Sequence, residues 1–407
     1  PVYGYFTNLF HTAQALSSMQ IHDLPTPALL IDARRLEFNI TQMQAKADAQ
    51  GVSLRPHTKT HKSVDIAHKQ VAAGAKGLTM AKVGEAEVFA EAGFTDLRIA
   101  YPVVGVEKHA RILRLIEKGV RISFCVDTPE GAKSASDFYA AHETQAEVLI
   151  EVDVNYGRTG IPWNRLESLD FVRLVNKLPG LRLSGILCHA GQSYHGPEHE
   201  AEPLDEALAR VAREERGMML SFATRIGEAG LATPDTLEIS IGSTPSVKHF
   251  QQQERQGFRI TEIRPGNYVF NDGTQVSLGT VLATDCALTV LTTVVSRQRS
   301  LRGKDKLFLD AGKKILTSDI RFGAGGYGQI LYNPEKMLPQ PHTRITSLSE
   351  EHAWVQVAGG ATLNVGDRVR LLPNHACVVV HTQPQLFAVE GEEVVAVWRT
   401  DARDGGH

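Results

Sequence analysis

The stretch V-E-K-H-A-R-I-L-R-L-I-E-K-G-V-R-I-S-F-C-V, from Val106 to Val126, decides the fold class. Ala110, Leu113, Leu115 and Ile116 recur at near-helical spacing over Val106 to Lys118, and Gly119 stands where such a helix would stop. Arg121 to Val126 is then short and apolar, as a buried strand is. The same pair repeats in both directions. Between about Ala28 and Asp272 the spacing predicts strands at Val52 to Arg55, Gly77 to Ala81, Leu97 to Tyr101, Arg121 to Val126, Ala146 to Val152, Leu181 to Cys188, Thr236 to Ile241 and Arg259 to Ile263. Amphipathic stretches separate them, the longest at Leu204 to Gly230, and Gly51, Gly93, Gly119, Gly180 and Gly230 each precede the next strand. An α/β alternation of this kind builds a parallel sheet, and eight repeats suggest closure into a (β/α)8 TIM-type barrel.

Beyond roughly Asn271 the texture changes. Cys286 to Arg297, Lys306 to Leu309, Trp354 to Val357, Arg368 to Leu372 and Val394 to Trp398 are rich in Val, Thr and Leu without long helical spacers, which predicts a mainly antiparallel β domain. The expected division is a barrel over 28–272 and a β domain from 1–27 plus 273–407, with Ala28 to Ile31 a candidate to join the β domain's sheet. A barrel takes about 250 residues, so the 407 present leave room for that second domain.

Hydrophobic residues at 42% and charged residues at 22% describe a globular chain able to bury a large core, not a disordered or membrane-spanning one. With 43 basic and 46 acidic residues the net charge is −3, which gives no footprint for nucleic acid or an anionic membrane and favours a small-molecule partner. Cys125, Cys188, Cys286 and Cys377 lack paired spacing, so a reducing, cytoplasmic setting is expected. Pro1 to Gln20 has no apolar run behind a basic region and reads as neither signal peptide nor anchor.

In a barrel the chemistry sits on loops after the strands. After the first comes Arg55-Pro56-His57-Thr58-Lys59-Thr60-His61-Lys62, read either as a solvated basic loop or as a cluster whose charges depress a lysine's pKa for nucleophilic or Schiff-base work. Glu151 to Gly160 follows the fifth strand with carboxylates, Arg158 and two glycines. His189 to His195 follows the sixth, offering imidazole and aromatic faces for a ring to stack on. Either loop reads equally as polar punctuation. Gly242-Ser243-Thr244-Pro245-Ser246 and Arg264-Pro265-Gly266-Asn267-Tyr268 follow the seventh and eighth strands, where such barrels bind phosphate in small-residue nests. Near the C-terminus, Pro373-Asn374-His375-Ala376-Cys377 places an imidazole and a thiol at i and i+2. On an extended segment they would share one side and suit zinc; a satisfied histidine beside a buried thiol is the bland alternative.

Taken together, Leu24-Pro25-Thr26-Pro27-Ala28, Arg-Pro-His-x-Lys at 55–59 and Pro-Asn-His-x-Cys at 373–377 resemble, over nearly the whole chain, the D-threonine aldolase and D-serine dehydratase group of pyridoxal-phosphate (PLP) enzymes, which share an alanine-racemase-type barrel and a β domain. The resemblance implies that Lys59 is the Schiff-base lysine, with His57 beside it and Arg158 near the cofactor's phenolic oxygen. His189 and Tyr194 would lie near the pyridine ring. Gly242, Ser243, Thr244, Gly266 and Asn267 would hold the phosphate, and His375 and Cys377 would ligate a divalent metal. Members with His-x-Cys are dehydratase-like and carry zinc, whereas His-x-Asp accompanies aldolases and a harder ion such as manganese; magnesium is a further alternative. The implied reaction is dehydration of a β-hydroxy-D-amino acid (D-serine, D-threonine or 3-hydroxyaspartate) to a 2-oxo acid and ammonia by a homodimer whose β domain completes its neighbour's site. The alternative is aldol cleavage to glycine and an aldehyde, followed by a racemase or a non-catalytic PLP-binding protein.

Overall fold

Parallel strands covered on both faces need unbroken apolar runs, and the strand Ala146–Asp153 buries every residue but its last. In the computed structural model of the chain, which describes residues 19–299, 305–320, 323, 325–358 and 362–407, all eight expected barrel strands form. They are Ser53–Leu54, Leu78–Met80, Asp96–Pro102, Arg121–Val126, Ala146–Asp153, Leu181–Cys188, Glu238–Ile241 and Glu262–Ile263. Each pairs in parallel with its neighbours, and Ile161–Pro162 adds a short ninth strand beside Ala146–Asp153. The two ends of the sheet meet where His57 bridges Thr79 and the Thr79 amide donates to the Pro56 carbonyl at 2.9 Å, which closes the ring. Around it, the helix Val106–Glu117 buries Leu113 and Leu115 of the expected stripe together with His109 and Ile112, while Ala110 and Ile116 are half-buried at its edge. Of the five glycines expected to stop helices, four have positive φ; Gly180 does not, and is required instead because a Cβ there would meet the Ser136 carbonyl oxygen at 2.1 Å.

A charged plug fills the barrel at the strand N-termini. Arg55, fully buried, donates to Glu262 at 2.7 Å and to Asp96 at 2.6 Å, and Arg98 donates to Glu262 at 2.6 Å and to Glu238. Ser240 Oγ adds a 2.6 Å bond to Glu262. Burial alone would raise the Glu262 carboxyl pKa, but Arg98 and Arg55 outweigh it and hold it far below the usual range. Because the folded value is depressed, its contribution to stability is present above the ordinary carboxylate pKa of about 4.3 and is lost as the pH falls below it. Glu262→Ala strands two guanidinium groups in the core and is expected to cost about 3 kcal/mol, measurable as a lowered urea midpoint at neutral pH; an unchanged midpoint would refute this role.

The chain divides into two compact units. One comprises Thr41–Gly266 and Asp401–His407, the barrel; the other comprises the described residues up to Ile40 with Asn267–Thr400. In the second unit, sheet order runs Leu338–Pro339, Gln329–Asn333, Arg368–Leu372, Leu288–Gln298, Ala28–Asp32, Gln385–Glu390 and Glu393–Arg399. Leu288–Gln298 also pairs with Asp305–Leu309, which leads to Ala353–Val357 and Thr343–Leu348. All pairings in this unit are antiparallel except that of Ala28–Asp32 with Gln385–Glu390. Among the described residues no helix is long and apolar enough to cross a membrane. None of the four cysteines is in a disulfide. The N-terminal stretch read for a targeting signal lies outside the described residues as far as residue 18.

Candidate active site

The barrel residues come first. The loop after the first strand turns through a short 3-10 helix, Thr58–Thr60, with His57 at its cap accepting the Lys59 amide at 3.4 Å. The Thr58 hydroxyl donates to the Thr79 carbonyl at 3.1 Å, and the His57 amide donates to the Pro265 carbonyl at 3.0 Å, so the loops after the first and eighth strands are tied together. Gly266 fits against them closely: a Cβ there would lie 2.9 Å from the His57 carbonyl oxygen and 3.0 Å from Thr60 Oγ1.

The basic cluster read from the sequence is not a cluster in space. Arg55 belongs to the plug at the opposite end of its strand, His61 is buried against Gln70 at 3.1 Å, and Lys62 is paired with Glu85 at 2.6 Å. Of that run, His57 and Lys59 remain to face the other loops. Burial pushes the His57 and His189 imidazoles well below their ordinary pKa, and the charges of Lys59 and Arg264 act on both in the same direction. Residues from the first, sixth and eighth strands converge here, since His57 donates to the Pro265 carbonyl and Arg264 to the Cys188 carbonyl, and the charge of Arg158 from the fifth acts on His189 as well. Both shifts favour the neutral imidazole, which can donate one hydrogen bond and accept one.

Tyr156 provides the ring against His189, with centroids 5.9 Å apart at 84°, and the half-exposed Arg158 lies 5.6 Å from the Tyr156 ring. Tyr194, expected in the same part, ends the 3-10 turn Gly191–Tyr194 and is half-buried. Glu151 receives the Thr159 hydroxyl at 2.6 Å, and burial raises its carboxyl pKa. Beyond the seventh strand, Ser243 caps Thr244–Lys248 and meets Ser193 at 2.9 Å, while the Gly242 amide donates to Glu215, a fully buried acid of the helix Leu204–Glu228. Arg264 is buried and donates to the Cys188 carbonyl. It was passed over in the sequence because a lone arginine before Pro-Gly carries no spacing signal. Its Nε, Glu151 Oε2 and Gln192 Oε1 are buried without a protein partner. Unfilled donors and acceptors at these strand ends suit a compact polar guest.

The second group lies in the other unit. The strand Arg368–Leu372 leads into Pro373-Asn374, and the segment does not stay extended: His375 is the N-cap and Cys377 the second residue of the helix Ala376–His381. The two side chains nonetheless hydrogen-bond to each other. Burial disfavours the charged His375 ring, but the hydrogen bonds to Asp319 and Cys377 outweigh it and push its pKa up to about 11. A metal ion would displace that proton. Asp272, fully buried, accepts the Ala376 amide at 2.8 Å and the Asn267 side-chain amide at 2.6 Å; Asn267 Nδ2 also lies 3.8 Å from Cys377 Sγ. Asn267, expected at the phosphate, thus commits its side chain to this loop, and any contact it makes with an anion falls to its backbone. Among the described residues no three His, Cys, Asp or Glu side chains converge as a closed metal cage. An imidazole and a thiol with open positions are what a catalytic rather than a structural ion would use.

A parallel barrel with convergent strand-end loops, followed by a β unit bearing an imidazole and a thiol, defines the fold-type III PLP class. The chain belongs to the family described as alanine racemase, N-terminal domain, which matches residues 31–273, and a putative serine dehydratase domain matches residues 287–389. It is 34% identical to the D-threo-3-hydroxyaspartate dehydratase of Delftia sp. (strain HT23), over 92% of this chain and 97% of that one. It is 32% identical to the D-threonine aldolase of Arthrobacter sp., over 93% and 92% respectively. A solved D-threo-3-hydroxyaspartate dehydratase with a cysteine changed to alanine, in its metal-free form, superposes with a TM-score of 0.82 at 32% identity, over 94% of this chain and 99% of that one.

Proposed function

We propose that this chain is a PLP- and divalent-metal-dependent lyase that dehydrates β-hydroxy-D-amino acids to a 2-oxo acid and ammonia, with zinc as its metal. The observation that carries the reading is the His375 and Cys377 pair at the start of one helix, within the matched serine dehydratase domain. The similarity to a D-threo-3-hydroxyaspartate dehydratase and the metal-free state of a cysteine variant of such an enzyme support it. Aldol cleavage to glycine and an aldehyde is the second reading, favoured by the similarity to a D-threonine aldolase. The protein would act as a cytoplasmic homodimer, and four cysteines outside any disulfide agree with a reducing compartment.

When bound, PLP supplies an electron sink for charge at the substrate α-carbon, and the metal supplies a Lewis acid for the β-hydroxyl. The chain does the rest. Lys59 Nζ would hold the cofactor covalently and, as a free amine, would move the substrate α-proton. His57 and His189 would line the cofactor, their burial disfavouring the charged form of each ring. Arg264 and Arg158 provide the fixed cations, the former with a donor still to be satisfied. Gly242, Ser243, Thr244 and the backbone at Gly266 and Asn267 would cradle the phosphate, and His375 and Cys377 would hold the metal.

The test is product analysis on enzyme supplied with PLP and Zn²⁺ and offered D-serine, D-threonine and D-threo-3-hydroxyaspartate. Ammonia and a 2-oxo acid in equal amounts are expected; glycine with an aldehyde would replace the dehydratase by the aldolase, and neither product would overturn both. The close fit at Gly266 gives a further check. Gly266→Ala forces backbone or His57 to move, and overpacking of this kind costs about 1–3 kcal/mol. PLP affinity, followed by its visible absorbance, should fall about tenfold or more. Wild-type affinity would remove Gly266 from the phosphate cradle.

A further inference from the structure

Asp319, in the second unit, takes no part in the chemistry assigned above. Its Oδ1 lies 3.5 Å from His375 Nδ1. Its Oδ2 accepts a hydrogen bond of 2.8 Å from the Thr317 hydroxyl, and its backbone carbonyl accepts the Asn374 side-chain amide at 2.9 Å. Asn374, only 2% exposed, also donates to the Gly326 carbonyl at 2.8 Å, so the residue before His375 is clamped to the segment that carries Asp319.

The backbone around this contact is strained. Thr317, which ends the short helix Lys313–Leu316, has φ 63° and ψ −167°. A β-branched residue avoids that region, and a fold keeps such a residue there only when its surroundings over-determine it. Here the strained turn aims a hydroxyl at Asp319 and sets the Asp319 carboxylate against His375. Strain, hydroxyl, carboxylate and clamp all act on one ring.

We propose that Asp319 is a positioning residue of the metal site: it fixes the His375 ring by accepting from Nδ1 and so leaves Nε2, with Cys377 Sγ, to the metal. A carboxylate behind a metal-binding imidazole sets its tautomer and orientation and raises its basicity, and losing such a partner weakens metal binding about 10- to 100-fold. The inference rests on the reading of His375 and Cys377 as ligands.

The experiment is a Zn²⁺ titration against a chromophoric chelator, run on PLP-loaded wild type and on Asp319→Ala, Asp319→Asn, His375→Ala and Cys377→Ala, with PLP absorbance reporting an intact barrel. Asp319→Ala should bind Zn²⁺ about 10- to 100-fold more weakly, and Asp319→Asn, which keeps an acceptor oxygen, should recover most of the loss. Thr317→Val, which deletes only the hydroxyl holding Asp319, should show the same effect in milder form. If His375→Ala and Cys377→Ala keep wild-type affinity, the ligand reading itself fails. If they lose Zn²⁺ while Asp319→Ala and Thr317→Val keep it, the ligands stand and the positioning role is overturned. Loss as complete in Asp319→Ala as in His375→Ala would overturn it too, by making Asp319 a ligand.

Discussion

Lys59→Ala is expected to abolish the visible absorbance of covalently held PLP and to lower turnover on any β-hydroxy-D-amino acid by about 10³-fold or more. Lys59 lies in a 3-10 turn whose neighbours are fixed by His57 at its cap and by the loop after the eighth strand, and its charge acts on the buried rings of His57 and His189. Other lysines near that turn are placed for other work: Lys62 is paired with the buried Glu85, and Lys82 lies over the Tyr101 ring at 3.9 Å. Neither could take over the role without rebuilding the loop. Turnover within a few-fold of wild type would remove Lys59 from the mechanism.

Cys377→Ala should release the metal and lower turnover by about 10²-fold or more, since Lewis-acid help at a leaving hydroxyl is worth several kcal/mol. Its PLP absorbance should be unchanged, because Cys377 belongs to the unit that does not carry Lys59. The two deletions therefore have separable signatures, one in the cofactor spectrum and one in metal content. Cys377→Asp keeps an anionic ligand of a harder kind and should shift preference from Zn²⁺ toward Mn²⁺. Full activity of Cys377→Ala after chelation would contradict a catalytic metal at this pair.

The barrel was legible because its signal is local and repeated: strands such as Leu181–Cys188 are apolar runs, and helices such as Val106–Glu117 carry a 3.6-residue stripe. The β unit was read in part. Thr343–Leu348 was missed since only Ile345 is buried in it, and Gln385–Glu390 since it pairs in parallel with a strand far back in the chain at Ala28–Asp32. The expected site residues came from the resemblance, which says nothing of their surroundings. Arg264 and Glu215 signal nothing by spacing; they matter because a barrel brings the eighth strand and a helix against the end of the sixth. Arg55 shows the opposite error, since adjacency to His57 in sequence placed it in the site while its long side chain turns away to Glu262 and Asp96 in the plug.

The most direct test of the central claim is to reduce the PLP-loaded protein with borohydride, digest it and locate the pyridoxyl group by mass spectrometry. The account predicts a single modified peptide with the label on Lys59. A label on any other lysine, or none on a protein that has bound PLP, would contradict it.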